Sequence, residues 1–310
     1  VITLIQSIGV SNGLNSFTGR NGQAAISIDM NTFIAVSAIS MLTGTMLLMW
    51  IGEQITQRGI GNGISLIIFA GIVSAIPSAI GGTIDLVNNG QMHFLTVIGI
   101  LLVIFATVGA IIYVELGERR VPVSYSRKVI MQNQNKRVMN YIPIKVNLSG
   151  VIPAIFASAI LMFPATVLQG SENKYLVMIA DYMNPSSYTF NLFMFLFVVF
   201  FAFFYASITF NAKDISENLK RQGGFIPGVR PGASTAEFLN TVASRLTFWG
   251  AIYMGLISTL PWLIVKAMGV PFYFGGVSVL IVVQVAIDTM RKIEAQQYSN
   301  KYQTLSAVGL

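Results

Sequence analysis

The sequence predicts an all-α protein that crosses a membrane several times, and three observations predict it. First, 54% of its 310 residues are hydrophobic and only 10% are charged, with a mean hydropathy of +0.68. A soluble domain carries about 25% charged residues, because a water-exposed surface needs them. Second, the apolar residues gather in runs of about twenty, the length at which a helix spans hydrocarbon. Third, the Lys and Arg residues, nineteen in all, gather in alternate connections between those runs, as they do in multi-pass membrane proteins. The runs lack the alternation of barrel strands, and a helix satisfies its own backbone in lipid.

Taken in order, the first run is VITLIQSIGV (1–10). It is too short to span and has no charged region before it, so it is not a secretory leader. We expect it to be the tail of a helix whose start lies upstream, which makes the chain a fragment. Complete spans are expected at 32–51, 64–83, 93–114, 148–168, 190–210, 247–265 and 274–290, giving eight passes in all. Pro77, Pro153 and Pro164 fall inside spans and Pro261 near an end. Such prolines are tolerated in membrane helices.

Charge sets the orientation. One side holds Arg58, seven cations in 115–147, five in 211–246 and three in the tail after 290, sixteen in total. The other side holds Arg20, Lys174 and Lys266. The positive-inside rule assigns the basic connections and the C-terminus to the cytoplasm.

Two cytoplasmic connections run to thirty residues or more, and loops of that length usually carry function. In the first, GERRVPVSYSRK (117–128) mixes β-branched residues with cations and reads as extended or hairpin structure. In the second, NAKDISENLKRQ (211–222) extends a helix that GGFIPGVRPG breaks. STAEFLN (234–240) starts the next helix, with Ser234 and Glu237 at the spacing of a capping box. Cations here also fix topology and meet anionic lipid. Topogenic charge alone does not need long, Pro- and Gly-broken loops, so a docking surface is the reading preferred.

Enzyme chemistry finds few footholds. There is no cysteine, and the single histidine, His93, cannot make a two-His metal site. No G-x-x-x-x-G-K-[ST] stretch is present, so no nucleotide-driven motor is expected. Ser65 and Ser278 have no histidine in a span to activate them, and they read as small residues for close helix contact. No cofactor or metal is expected. Glu115 and Asp288 lie near cytoplasmic span ends and no span has a central charge, which counts against an ion-coupled carrier.

GISLII (63–68) and GVSVLI (276–281) share Gly, a β-branched residue and Ser at the same offsets before an aliphatic stretch. The first enters the membrane from the cytoplasm and the second from outside, the trace an inverted repeat would leave. From the residues alone two readings stay open: a multi-helix secondary transporter of small solutes and a membrane scaffold with lipid-binding loops.

Four longer stretches add a resemblance. GEQITQRGIGNGISLIIFAGIV (52–73), IKVNLSGVIPAIFASAILMFP (144–164), FNAKDISENLKRQGGFIPGVRPG (210–232) and VPFYFGGVSVLIVVQV (270–285) resemble the SecY family of bacterial protein-conducting channels, in the right order and topology. The resemblance implies a ten-helix bundle of two inverted halves around an hourglass pore. About eight helices are represented, the third only in part, and the first two with the plug between them are not. Residues 1–83 would be the remainder of the N-terminal half, 84–290 the C-terminal half, and 291–310 a cytoplasmic tail. The pore ring of aliphatic side chains would fall on Ile64, Ile68, Ile155 and Ile281. The lateral gate would involve Gln6, Ser7, Ser158 and Thr166. Docking of the SecA ATPase or the ribosome would use Arg119, Arg120, Arg127, Lys128, Lys220, Arg221 and Arg230. Small SecE-like and SecG-like membrane subunits, the translocating polypeptide and membrane lipid complete the implied partners, in the bacterial inner membrane. No covalent chemistry is implied.

Overall fold

A computed structural model describes residues 2–14, 28–59, 61–125, 140–168, 175, 182–268 and 275–307. The chain opens with α1 (Ile2–Leu14) and α2 (Met30–Arg58), which pack together. After a turn, α3 (Gly63–Ser74) is capped by Asn62, whose Oδ1 accepts from the N–H groups of Ile64 and Ser65 at 3.2 and 3.4 Å. The Gly63 N–H donates to Thr56 Oγ1 at 2.8 Å, tying α3 to the helix before it. The span breaks at Ala75, and α4 (Ile76–Asn88) continues it. The cause is Pro77, whose missing N–H and bulky ring interrupt the ladder.

Helix α5 (Phe94–Glu115) leads into β1 (Glu118–Tyr125), and β2 (Asn140–Lys145) runs back antiparallel to it, with Glu118 opposite Lys145 and Val123 opposite Asn140. The extended reading of 117–128 is thus realised over Glu118–Tyr125. Helix α6 (Ile152–Leu168) follows a turn in which Gly150 has φ of +66°. It therefore starts four residues later than the run beginning at 148 suggested.

Helix α7 (Tyr188–Thr209) is capped by Ser187, whose Oγ accepts the Phe190 N–H at 3.0 Å. Its chain does not run on unbroken into the polar stretch. Asn211 starts a separate helix, α8 (Ala212–Arg221), by accepting from the N–H groups of Lys213 and Asp214. The Gly-rich segment then forms a two-residue strand, β3 (Gly224–Phe225), before α9 (Ala233–Met268) and α10 (Gly276–Ala307) complete the chain. The expected capping box at Ser234 does not form, because α9 already begins at Ala233 and Ser234 lies inside it. The start is fastened instead by Thr235, whose Oγ1–H donates to the Arg230 carbonyl at 2.9 Å.

Among the described residues, five stretches are long and apolar enough to cross a membrane: Met30–Arg58, Gly63–Asn88, Phe94–Glu115, Tyr188–Arg221 and Ala233–Ile264. The two other expected complete spans are shorter as apolar helices. The apolar part of α6 is Ile152–Pro164. In α10 the apolar residues 276–287 give way to Asp288, Arg291 and Lys292.

Among the described residues, two cores form. The larger is apolar and joins α5, α6, α7, α9 and α10 through side chains such as Ile111, Leu161, Val198, Met254 and Leu280. At one end of α7 and α9, Lys266 Nζ sits 3.5 Å above the Tyr188 ring and 4.9 Å from the Trp262 ring, clasping the two helices. The smaller core lies under the sheet and gathers Val121, Val123, Ile144, Leu219, Ile226 and Leu239. Each such side chain contributes about 1.5–3 kcal/mol when fully buried from water, enough to hold a small sheet on the helix ends.

Candidate functional site

The apolar site is assembled from helices far apart in sequence. Ile281 on α10 is buried, and Ile68 on α3 and Ile155 on α6 pack against the same cluster. Ile64, one turn before Ile68, stands apart: it is half exposed, and its side chain lies beside Gly52 of α2. Three of the four isoleucines thus belong to one apolar cluster. Aliphatic side chains have rotamer freedom and no polar atoms, so a constriction made of them repels water and ions yet yields to a passing chain.

Glycines at the starts of α3 and α10 set these positions. A Cβ on Gly63 would overlap the Gly52 carbonyl oxygen of α2, and one on Gly276 would overlap the Ile257 carbonyl oxygen of α9. Ile68 and Ile281 each stand five residues after that glycine. The two similar stretches therefore place equivalent residues at the same cluster.

Helix α1 packs against α6. On α1, Ser7 is buried and its Oγ–H donates to the Leu4 carbonyl at 2.8 Å, while Gln6 is half-buried. On α6, Ser158 Oγ–H donates to the Ile155 carbonyl at 2.9 Å. Both hydroxyl protons are therefore spent within their own helices. Ser158 also lines a cavity of about 280 Å³ that reaches Ile281, Asn191 and Ser258. Thr166 lies on α6, but its side chain is outside the described residues.

The two long polar connections form one unit. β1 pairs with β3 as well as with β2, with Ser124 opposite Phe225 and Tyr125 opposite Gly224, giving the strand order β2-β1-β3. The sequence signalled each loop separately, and nothing local in GGF announced its partner. On this unit Arg120 donates to Glu118 at 2.7 Å and lies 4.8 Å from the Tyr141 ring centroid. The hydrogen bond to Glu118 holds its guanidinium pKa above the ordinary arginine value, so it stays charged. Arg221 reaches Glu217 at 3.5 Å across one helical turn. Arg119, Lys220 and Arg230 are exposed and make no ion pair among the described residues. Arg127 and Lys128 lie outside the described residues. Beside Lys220, a groove of about 790 Å³ runs between α8 and the start of α9.

A polar group that the loop reading overlooked sits under the sheet. Buried Glu115 and Asn147, at the two feet of the β1–β2 hairpin, are joined by a bond of 2.7 Å from Asn147 Nδ2–H to Glu115 Oε1. Their positions just outside the strands, one acidic and one amide, were the available signal. No group of three or more metal-ligating side chains occurs among the described residues.

The family model for SecY matches residues 1–290. The chain belongs to the SecY family. It is 68% identical to the protein translocase subunit SecY of Helicobacter pylori, over all of this chain and 74% of that protein. It is 42% identical to the protein translocase subunit SecY of Escherichia coli, over 98% of this chain and 69% of that protein. A solved structure of a protein conducting channel superposes with a TM-score of 0.70 at 18% identity, over 96% of this chain and 71% of its own. Membership in the SecY family bears out the expected multi-pass helical fold and leaves the small-solute transporter reading without support.

Proposed function

We propose that the chain is the channel-forming subunit of a bacterial protein translocase. It passes unfolded polypeptide through the inner membrane and releases apolar segments sideways into lipid. The observation that carries this reading is the convergence of Ile68, Ile155 and Ile281, from three helices, on one apolar cluster in a SecY-family fold. These three form the constriction, with Ile64 as its lip one turn along α3. At rest the constriction keeps ions and water out; a translocating chain displaces the side chains without any bond being made or broken.

The lateral gate runs along the α1–α6 contact, with Gln6 and Ser7 on one side and Ser158 and Thr166 on the other. The three-stranded sheet and α8 face the cytoplasm, as does the C-terminus, in keeping with sixteen of nineteen cations on that side. Arg119, Lys220 and Arg230 are its free charges, joined by Arg127, Lys128, Arg120 and Arg221. Arginine suits a docking surface because its fork pairs with carboxylate or phosphate. The partners are the SecA ATPase or the ribosome, which supply the driving force, with SecE-like and SecG-like subunits in the membrane.

The chain has no cysteine, so single cysteines report cleanly. Cysteines at Ile68, Ile155 and Ile281 are expected to crosslink to a polypeptide stalled in transit; no crosslink from any of them removes the constriction. Arg230→Glu is expected to lower SecA-driven export at least about tenfold, the loss that goes with breaking a charged contact worth ~1.4 kcal/mol or more, while the protein still inserts. Normal export from that variant would remove Arg230 from docking.

A further inference from the structure

The feet of the β1–β2 hairpin meet inside the protein. Glu115 ends α5 three residues before β1, and Asn147 follows β2 by two residues. Besides its bond to Glu115, the Asn147 amide reaches the Gly150 carbonyl at 3.3 Å, and Ser149 Oγ–H donates to Asn147 Oδ1 at 3.3 Å. Helix α9 presses on the same foot, for a Cβ on Gly250 would lie 2.7 Å from the Val146 carbonyl oxygen. Helix α10 meets it through Gln284, whose Nε2 lies 3.1 Å from the Cβ position of Gly150. Gln284 Oε1 and the Tyr253 hydroxyl are buried here without a hydrogen-bond partner among the described residues.

Stability does not account for this arrangement. A buried polar pair returns about what its desolvation costs, and apolar side chains would fill the same space as well. Directional bonds add register instead. Gln284 stands three residues from Ile281 on α10, and Asn147 eight residues before Ile155 at the start of α6. Asn147 therefore sits on the covalent path from the sheet to Ile155, and Gln284 brings the helix that carries Ile281 against the same foot.

We propose that Glu115, Asn147 and Gln284 are positioning residues that hold α6 and α10 in the register at which Ile155 and Ile281 pack into one apolar cluster. Breaking the Glu115–Asn147 bond lets movement of the sheet part them. The proposal rests on the translocation reading above.

The test uses the whole chain carrying Ile155→Cys and Ile281→Cys, and follows the rate of crosslinking by a short bifunctional maleimide in membranes. Asn147→Asp sets a second carboxylate against Glu115 and is expected to slow crosslinking about tenfold, within the range of ordinary coupling between sites. Adding Glu115→Gln reverses donor and acceptor and is expected to restore the parent rate. Where Asn147→Asp does not accumulate, Asn147→Leu carries the same expectation of slowing. A parent rate in the single variant, or a double variant as slow as the single, overturns the proposal. Crosslinking needs no export. A parent protein that fails to export while the crosslinks respond as stated overturns the channel reading alone.

Discussion

Two successive helix pairs, α2 with α3 and α9 with α10, share a device where the second helix begins. In each, a glycine seats the new helix on a backbone carbonyl of the old one, and similar six-residue stretches follow. Their surroundings differ. Only 6% of the apolar stretch across α3 and α4 is buried, against 50% of that in α9. Ile281 is 5% exposed, while its counterpart Ile68 is half-buried. Local sequence thus sets how each helix starts, and the neighbours set what it buries. The open flank of the first pair leaves its apolar side chains to lipid or membrane partners.

The strongest way to break the comparison is through the shared device. Gly63→Ala and Gly276→Ala each drive a methyl group into backbone, which cannot move aside as a flexible side chain can. Each is expected to cost about 1–3 kcal/mol or more, read as a fall in the thermal midpoint in detergent. Gly81→Ala and Gly82→Ala meet nothing within 4 Å and should leave that midpoint unchanged or raise it slightly. If all four behave alike, close helix approach is not what the two glycines provide.

Next in size is the difference in burial. Ile281→Ala empties a filled site and is expected to cost about 2–5 kcal/mol, and Ile68→Ala less than half of that. Equilibrium unfolding in mixed micelles compares the two directly. Equal losses would mean that the open flank is covered in the membrane as tightly as the closed one.

The smallest effect belongs to the ion pair joining β2 to α10. Lys145 Nζ and Asp288 Oδ1 are 3.6 Å apart, and both side chains are 47% exposed. Such a pair is worth about 0–1 kcal/mol, so Asp288→Asn should barely shift the unfolding curve. A loss comparable to that of Ile281→Ala would place this pair among the contacts that hold α10.

The sequence by itself determined the helical membrane class and the extended stretch at 118–125, whereas the break before Pro77 and the caps at Asn62 and Asn211 came from the structure. All of these rest on local constraints: a backbone that lipid cannot solvate, a missing N–H, a side chain within reach of its own helix. It also marked Ile64, Ile68, Ile155 and Ile281, through motif likeness, as one group, of which the last three pack into one apolar cluster. Only the tertiary structure decided that β3 joins β1 across about a hundred residues, that Ser234 falls inside its helix, that Ile64 stands off the cluster, and that Glu115 finds Asn147. The β1–β3 pairing and the Glu115–Asn147 bond depend on where packed helices bring distant segments, and no short window of sequence contains both partners.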